Sequence, residues 1–156
     1  MPELPEVQTI VNDLNKKVKG LTITDVWTDW PKYFRRSKGG FDGFRKEIKN
    51  KKIEKVWRVG KNIIFGLQGN TDMLIHQKMT GHILIGKWKF SNKKWITTEK
   101  GHLTEKVNGY IHAMFYLSNG PSSKVGASKM MALSDLRKFA KILIFNDKDL
   151  KNLEDV

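Results

Sequence analysis

Val7, Ile10, Val11, Leu14 and Val18 recur at helical spacing near the start of the chain and make one apolar face, which predicts an amphipathic helix. Pro5 suits its first turn, Glu3 or Glu6 lies near the positive end of its dipole, and Gly20 closes it. Beyond it the pattern breaks into short apolar runs. Strands are expected at 21–27, 53–59, 62–67, 72–77, 81–86, 111–117, 130–134 and 139–145. The second and third of these join tightly around Gly60-Lys61, and the next two pair around Lys78-Met79-Thr80. Residues 31–43 read as a basic, aromatic, glycine-containing loop. Residues 118–129, with an Asn-Gly-Pro-Ser-Ser run, read as a second loop, and 88–108 are polar with a weak pattern. Helices do not alternate with strands, which argues against a parallel doubly wound sheet. The expected fold is mainly β, in the α+β class: a two-sheet antiparallel β-sandwich with the N-terminal helix packed against it.

Composition narrows the chemistry. The chain has 156 residues, 39% of them hydrophobic, enough for one sizeable core. It contains no cysteine, which excludes disulfides, thiolate zinc sites, iron–sulfur clusters and a cysteine nucleophile. No apolar stretch approaches the roughly 20 residues that span a bilayer, so no membrane partner is expected. His76, His82, His102 and His112 show no metal-ligand spacing with any carboxylate set, and no metal or other cofactor is expected.

The net charge is +13, and 24 of the 29 cations are Lys. Lysine is a hydrated point charge suited to diffuse phosphate contacts. Residues 31–61 hold twelve cations against Asp42, Glu47 and Glu54, so more than half of the excess charge lies in about a fifth of the chain. That is the footprint of a nucleic-acid surface, or a solvated lysine-rich face.

Pro2 is small enough for Met1 normally to be trimmed after synthesis. Trimming leaves a secondary amine, whereas with Met1 in place the Pro2 nitrogen is an amide without a nucleophilic lone pair. A terminal α-amino group titrates near roughly 7.7–8.0, so a neutral fraction exists at pH 7. Such an amine attacks an aldehyde-like sugar carbon to give an iminium, an electron sink that acidifies the neighbouring C–H. Glu3 and Glu6 lie beside it as candidate acid/base groups. Alone, the Met-Pro start is equally a helix-starting device.

The longer string Pro2-Glu3-Leu4-Pro5-Glu6-Val7 resembles the start of the formamidopyrimidine-DNA glycosylase family. Arg58-Val59-Gly60-Lys61 resembles that family's Arg-x-Gly-Lys hairpin. Ile75-His76-Gln77-Lys78-Met79-Thr80-Gly81 resembles its His-x-x-Met-Ser/Thr-Gly turn. Ser134-Asp135-Leu136-Arg137-Lys138-Phe139-Ala140 resembles its Asp-x-Arg-Arg-Phe-Gly motif. The four motifs stand in the family's order across residues 2–145. The resemblance implies a bifunctional base-excision repair enzyme of a bacterial-type cytoplasm. Such an enzyme removes oxidised purines such as 8-oxoguanine from double-stranded damaged DNA and nicks the abasic site. It implies Pro2 as the Schiff-base nucleophile, Glu3 as the acid/base, Glu6 as a hydrogen-bonding support and Lys61 as a phosphate holder. Met79 and Phe139 would wedge into the stack once the target base is flipped, and Arg137 would hold the orphaned partner base. From pattern alone, Met79 and Phe139 also suit core packing. His76 is expected as a hydrogen-bonded structural histidine. Tyr110 and His112 fall where the family has DNA-contacting histidines.

Lys138 stands where the family has a second Arg, which loses the bidentate fork, and Ala140 replaces a Gly, which restricts any positive φ there. Residues 118–129 lengthen the hairpin before Arg137. The expected organisation is a catalytic domain at 1–146 and the start of an interdomain linker at 147–156. By this resemblance, the family's helix–two-turn–helix and zinc-finger domains, which would supply the other wall of the DNA groove, are expected to be absent from these 156 residues. Two competing readings are a DNA-binding module without turnover and a tautomerase using Pro2 as base. The tautomerase reading leaves the charge, Lys61 and the Met79 turn without a role.

Overall fold

The helical spacing at the start of the chain produces α1 (Leu4–Lys17), which buries Val7, Val11 and Leu14, with Val18 buried just past its end. Glu6 in its first turn and Lys16 and Lys17 in its last match the helix dipole. Gly20 then takes a left-handed φ of 90° and donates its N–H to the Ile53 carbonyl, where the chain turns back onto the sheet. The structure, a computed structural model, describes residues 4–77, 81–97, 110–119 and 129–146.

The strands are β1 (Thr22–Thr28), β2 (Lys51–Val59), β3 (Asn62–Leu67), β4 (Thr71–His76), β5 (Gly81–Gly86), β6 (Trp88–Ser91), β7 (Lys94–Thr97), β8 (Ile111–Ser118), β9 (Lys129–Asp135) and β10 (Lys141–Asn146). All pairings are antiparallel. Two four-stranded halves, β10-β4-β3-β2 and β1-β8-β9-β5, meet only where Thr22 and Ile23 pair with Lys52 and Lys51. Past that junction β2 lacks a strand on its β1 side, and α1 substitutes for one. Asn15 donates from Nδ2 to the Val56 carbonyl at 2.7 Å and accepts the Val56 N–H at 2.9 Å. Both backbone groups are thereby satisfied at the point where the halves diverge.

The two halves pack face to face, as expected of a sandwich. Ile23, Val26, Phe115 and Leu133 from one half share a core with Val56, Phe65, Met73 and Ile142 from the other. A smaller cluster on the outer face of the β10-β4-β3-β2 half, Ile64 and Leu74 under Trp57, Leu143 and Phe145, explains why β3 is buried on both sides.

Four expectations are corrected. The region 31–43, read as loop, contains a 3-10 turn (Pro31–Phe34) and the start of α2 (Gly40–Ile48). Phe41, Phe44 and Ile48 supply the buried face of α2, with the Phe34 and Phe44 ring centroids 4.4 Å apart. Gly39, Gly40 and Gly43 hid the helical period. Gly43 is required by packing, since a Cβ there would collide with the Lys38 carbonyl. Second, β4 and β5 are not partners: β4 lies between β3 and β10, while β5 pairs with β9 in the other half. The chain therefore passes from one half to the other between His76 and Gly81. Third, a hairpin, β6–β7, lies in the weakly patterned stretch, turning through Asn92 and Lys93, both at positive φ. Its Trp88 and Trp95 pack beside Trp27 and Tyr116. Fourth, β10 begins at Lys141, leaving Phe139 outside the strand. The rest of the loop at 120–128 and the segment 147–156 lie outside the described residues.

Arg45 joins α2 to β1 through a fork onto Asp25, at 2.6 Å from Nε and 2.9 Å from Nη2. Burial pushes the Asp25 carboxyl up, but the Arg45 hydrogen bond, the Val26 N–H and the Arg45 and Lys49 charges outweigh it and hold the group below its usual 3.8. The pair is more than a third exposed, so solvent limits it to about 0.2–1 kcal/mol. Because the folded value is depressed, this stability is present above pH 3.8 and is lost as pH falls below it. Arg45→Ala is expected to cost that amount at neutral pH and nothing once Asp25 is protonated, read by denaturant unfolding at both. Gly43→Ala is expected to cost about 1–3 kcal/mol, and an unchanged midpoint would contradict its packing role.

Candidate nucleic-acid interface

Antiparallel register gathers the motif residues at one end of the sandwich. The β2–β3 hairpin closes with Val59 opposite Asn62, so Gly60 and Lys61 form its tip, and Gly60 takes a φ of 60°. Arg58 donates from Nε to Gln8 Oε1 at 2.8 Å, which ties the hairpin to the second turn of α1. The chain therefore enters its first helix beside the hairpin that carries Lys61. Glu6 is exposed on the first turn and Lys61 is half-buried. Pro2 and Glu3 lie outside the described residues.

His76 pairs with Asn62 on one side and Lys141 on the other, which places the end of β4 and the start of β10 at this same end. Just beyond it, the Gly81 N–H donates to the Gln77 carbonyl at 3.0 Å. A Cβ on Gly81 would collide with that carbonyl, which gives the glycine of this motif a steric reason. Residues 78–80, with Met79, lie outside the described residues.

Gly81 pairs with Asp135 at the end of β9. The Asp135 side chain is fully buried, and its Oδ2 accepts the Tyr33 hydroxyl at 3.0 Å and the Ala140 N–H at 2.9 Å. The Lys138 N–H donates to the Asp135 carbonyl at 3.3 Å. These bonds clamp residues 135–140 into a tight turn. The residues between the clamped ends face solvent: Phe139 is 52% exposed, Leu136 54%, and Arg137 is exposed. Core packing is thereby ruled out for Phe139. Lys138 is the residue at positive φ, 59°, and its Nζ sits 4.2 Å from the centre of the Trp30 ring. Residue 140 is not left-handed, so Ala140 meets no conformational penalty there. Burial, then the Asp135 charge and hydrogen bond, push the Tyr33 hydroxyl far up, so it stays a protonated donor.

Tyr110 is half-buried and its carbonyl accepts the Asp135 N–H at 2.9 Å. His112 is held inward: its Nδ1 lies 2.8 Å from Asp29 Oδ1 and its side chain is 13% exposed. Its carbonyl accepts the Thr28 hydroxyl at 2.6 Å. Among the described residues, no three His, Asp or Glu side chains come together as a metal site would need. Sequence reasoning singled out neither Asp135 nor Tyr33. The signal was present as the acidic first position of the fourth motif, an aspartate that this fold buries.

This arrangement defines a class of protein: an antiparallel sandwich whose one end collects a helix start, a lysine-tipped hairpin and a clamped basic turn. A family model described as the formamidopyrimidine-DNA glycosylase N-terminal domain matches residues 1–142, and the chain belongs to this family. The formamidopyrimidine-DNA glycosylase of Chloroflexus aurantiacus is 29% identical, with 100% of this chain and 47% of the relative covered. That of Mycoplasmopsis pulmonis is 36% identical over 77% of this chain and 37% of the relative. The chain spans about half the length, or less, of the curated relatives it matches. Two solved structures share the fold. MutM in complex with DNA containing carbocyclic 8-oxo-G gives a TM-score of 0.72 at 22% identity, over 97% of this chain and 48% of that one. Lactococcus lactis Fpg with DNA containing an abasic site gives 0.74 at 20% identity, over 98% and 47%.

Tyr33→Phe removes a donor from a buried carboxylate and is expected to cost about 1–3 kcal/mol in denaturant unfolding. A loss below about 0.5 kcal/mol would show that the Asp135 clamp does not depend on it.

Proposed function

We propose that this chain carries the catalytic centre of a DNA base-excision repair glycosylase with abasic-site lyase activity, acting on oxidised purines in double-stranded DNA. The observation that carries this reading is the Arg58–Gln8 hydrogen bond, which ties the start of the chain to the Lys61 hairpin. At the same end of the sandwich lie the Gln77–Gly81 turn and the clamped 135–140 turn. Family membership and the net charge of +13 support the same reading. The MutM and Lactococcus lactis Fpg structures cited above, which share this fold, are complexes with DNA containing carbocyclic 8-oxo-G and an abasic site. The relatives are bacterial, and among the described residues no helix is long and apolar enough to cross a membrane. The proposed place of action is the bacterial cytoplasm.

With Met1 removed, Pro2 is a secondary amine. Its nitrogen forms a bond to the sugar carbon that bears the damaged base as the base–sugar bond breaks, and the proton the amine sheds leaves with the base. Glu3 delivers its proton to the ring oxygen, the bond from that oxygen to the same carbon breaks, and the ring opens to an iminium, which acidifies the adjacent C–H. Loss of that proton to a nearby carboxylate gives an enamine, whose electron pair returns to form a carbon–carbon double bond as the phosphate on the next carbon leaves, which nicks the strand. Glu6, exposed in the first turn, supports the site by hydrogen bonding. Lys61 holds a phosphate beside the lesion. Extruding the base costs a few kcal/mol, and Met79 and Phe139 fill the gap while Arg137 engages the orphaned base. The inward-held His112 is a support of this surface, with Asp29 as its partner.

Borohydride trapping on an oligonucleotide with one abasic site tests the chemistry. A covalent complex is expected from chain lacking Met1 and none from chain retaining it; absence of both would contradict the reading and leave a DNA-binding module without turnover. Lys61→Ala is expected to weaken binding and lower the salt slope by about one.

A further inference from the structure

Beside the clamped turn lies a concave surface to which lesion chemistry assigns no role. Its walls are the 3-10 turn with Arg35 and Arg36 behind it, and residues 138–141 leading into β10. Five cations line it, Lys32, Arg35, Arg36, Lys138 and Lys141, and no carboxylate does. The acids nearest in sequence are committed elsewhere: Asp135 is buried under Tyr33 and Ala140, and Asp29 is bonded to His112. Trp30 makes the floor, with the Lys138 ammonium 4.2 Å and the Lys32 ammonium 5.1 Å from its ring centre. Two lysines drawn to one ring, flanked by two exposed arginines, repel one another, and an anion laid along the groove relieves that repulsion. Lys32, Arg35, Arg36 and Lys138, spread over two chain segments, overcompensate one phosphate and suit a run of them.

We propose that this groove carries the sugar–phosphate backbone of the DNA strand opposite the lesion. The inference rests on the functional reading above, which commits the lesion strand to the α1 and Lys61 side and gives Arg137 and Phe139 to the orphaned base. The groove starts at Phe139, 52% exposed on its rim, and runs back toward the 3-10 turn. The strand whose base meets Arg137 and Phe139 continues onto it. Lys32, Arg35 and Arg36 are backbone contacts that set how firmly a duplex, rather than a single strand, is held.

The test replaces the exposed cations Lys32, Arg35 and Arg36 together by Ala and compares binding of an abasic duplex with that of the same abasic strand alone. Lys16, Lys19 and Lys46, exposed on other faces, are replaced together as a charge-matched control. Duplex affinity is expected to fall at least about tenfold more than single-strand affinity, with the duplex salt slope lowered by about two to three. The control is expected to shift duplex affinity by less than about threefold. Equal losses on both DNAs would assign the groove to the lesion strand, and a loss no larger than the control's would show it is no DNA surface; either overturns the proposal. Borohydride trapping on the abasic duplex separates the two readings. If the unsubstituted chain lacking Met1 fails to trap, the catalytic reading falls, while the duplex comparison still decides the groove.

Discussion

A carboxylate with no access to water organises the working end of this molecule. Asp135 is fully buried, and a buried charge is tolerated only when donors replace its lost hydration. Those donors include the Tyr33 hydroxyl and the Ala140 N–H, which reach it from two directions. One side chain therefore fixes the end of β9, the approach to β10 and the 3-10 turn. The chain between Asp135 and Ala140 has no room to turn inward, so Arg137 and Phe139 are presented to solvent. The same constraint aligns the cations of the 3-10 turn with Lys138 and Lys141 across a shared groove.

The rest of the fold places this device where chemistry is proposed to occur. The two halves of the sandwich are continuous for two residue pairs only, and Asn15 seals the edge that β2 exposes where they part. The helix that supplies Asn15 is the one whose start is tied to the Lys61 hairpin by Arg58. Splitting the sheet at that corner and anchoring the first helix there are one structural decision. It brings the beginning of the chain to the same end as residues more than a hundred positions later.

Local signals were legible in the sequence where the physics is local. The face of Val7, Val11 and Leu14, the tight Gly60-Lys61 hairpin and most strands follow from periodicity and turn chemistry. The second helix was not legible, because Gly39, Gly40 and Gly43 resemble a loop and only packing against Phe34 and Phe115 reveals the role of Phe44. Pairing β4 with β5 failed for a related reason: adjacency in sequence does not choose between a hairpin and a crossover when both strands can bury their apolar faces. The excess charge between residues 31 and 61 was plain, but the concave surface that gathers Lys32, Arg35 and Arg36 from it appears only once Tyr33 meets Asp135. The family motifs named Arg137 and Phe139, while the buried aspartate that aims them is a product of tertiary structure.

The central claim is that one end of the sandwich is the DNA-facing end. Amide chemical shifts of the labelled chain, followed during titration with an abasic duplex, test it most directly. The expected changes cluster at Lys61, His76, Gly81 and residues 135–141, with Lys32, Arg35 and Arg36 beside them. Gly69, Lys52 and Ser118 at the opposite end are expected to stay fixed. Changes centred on that opposite end, or on the β6–β7 hairpin, would contradict the account.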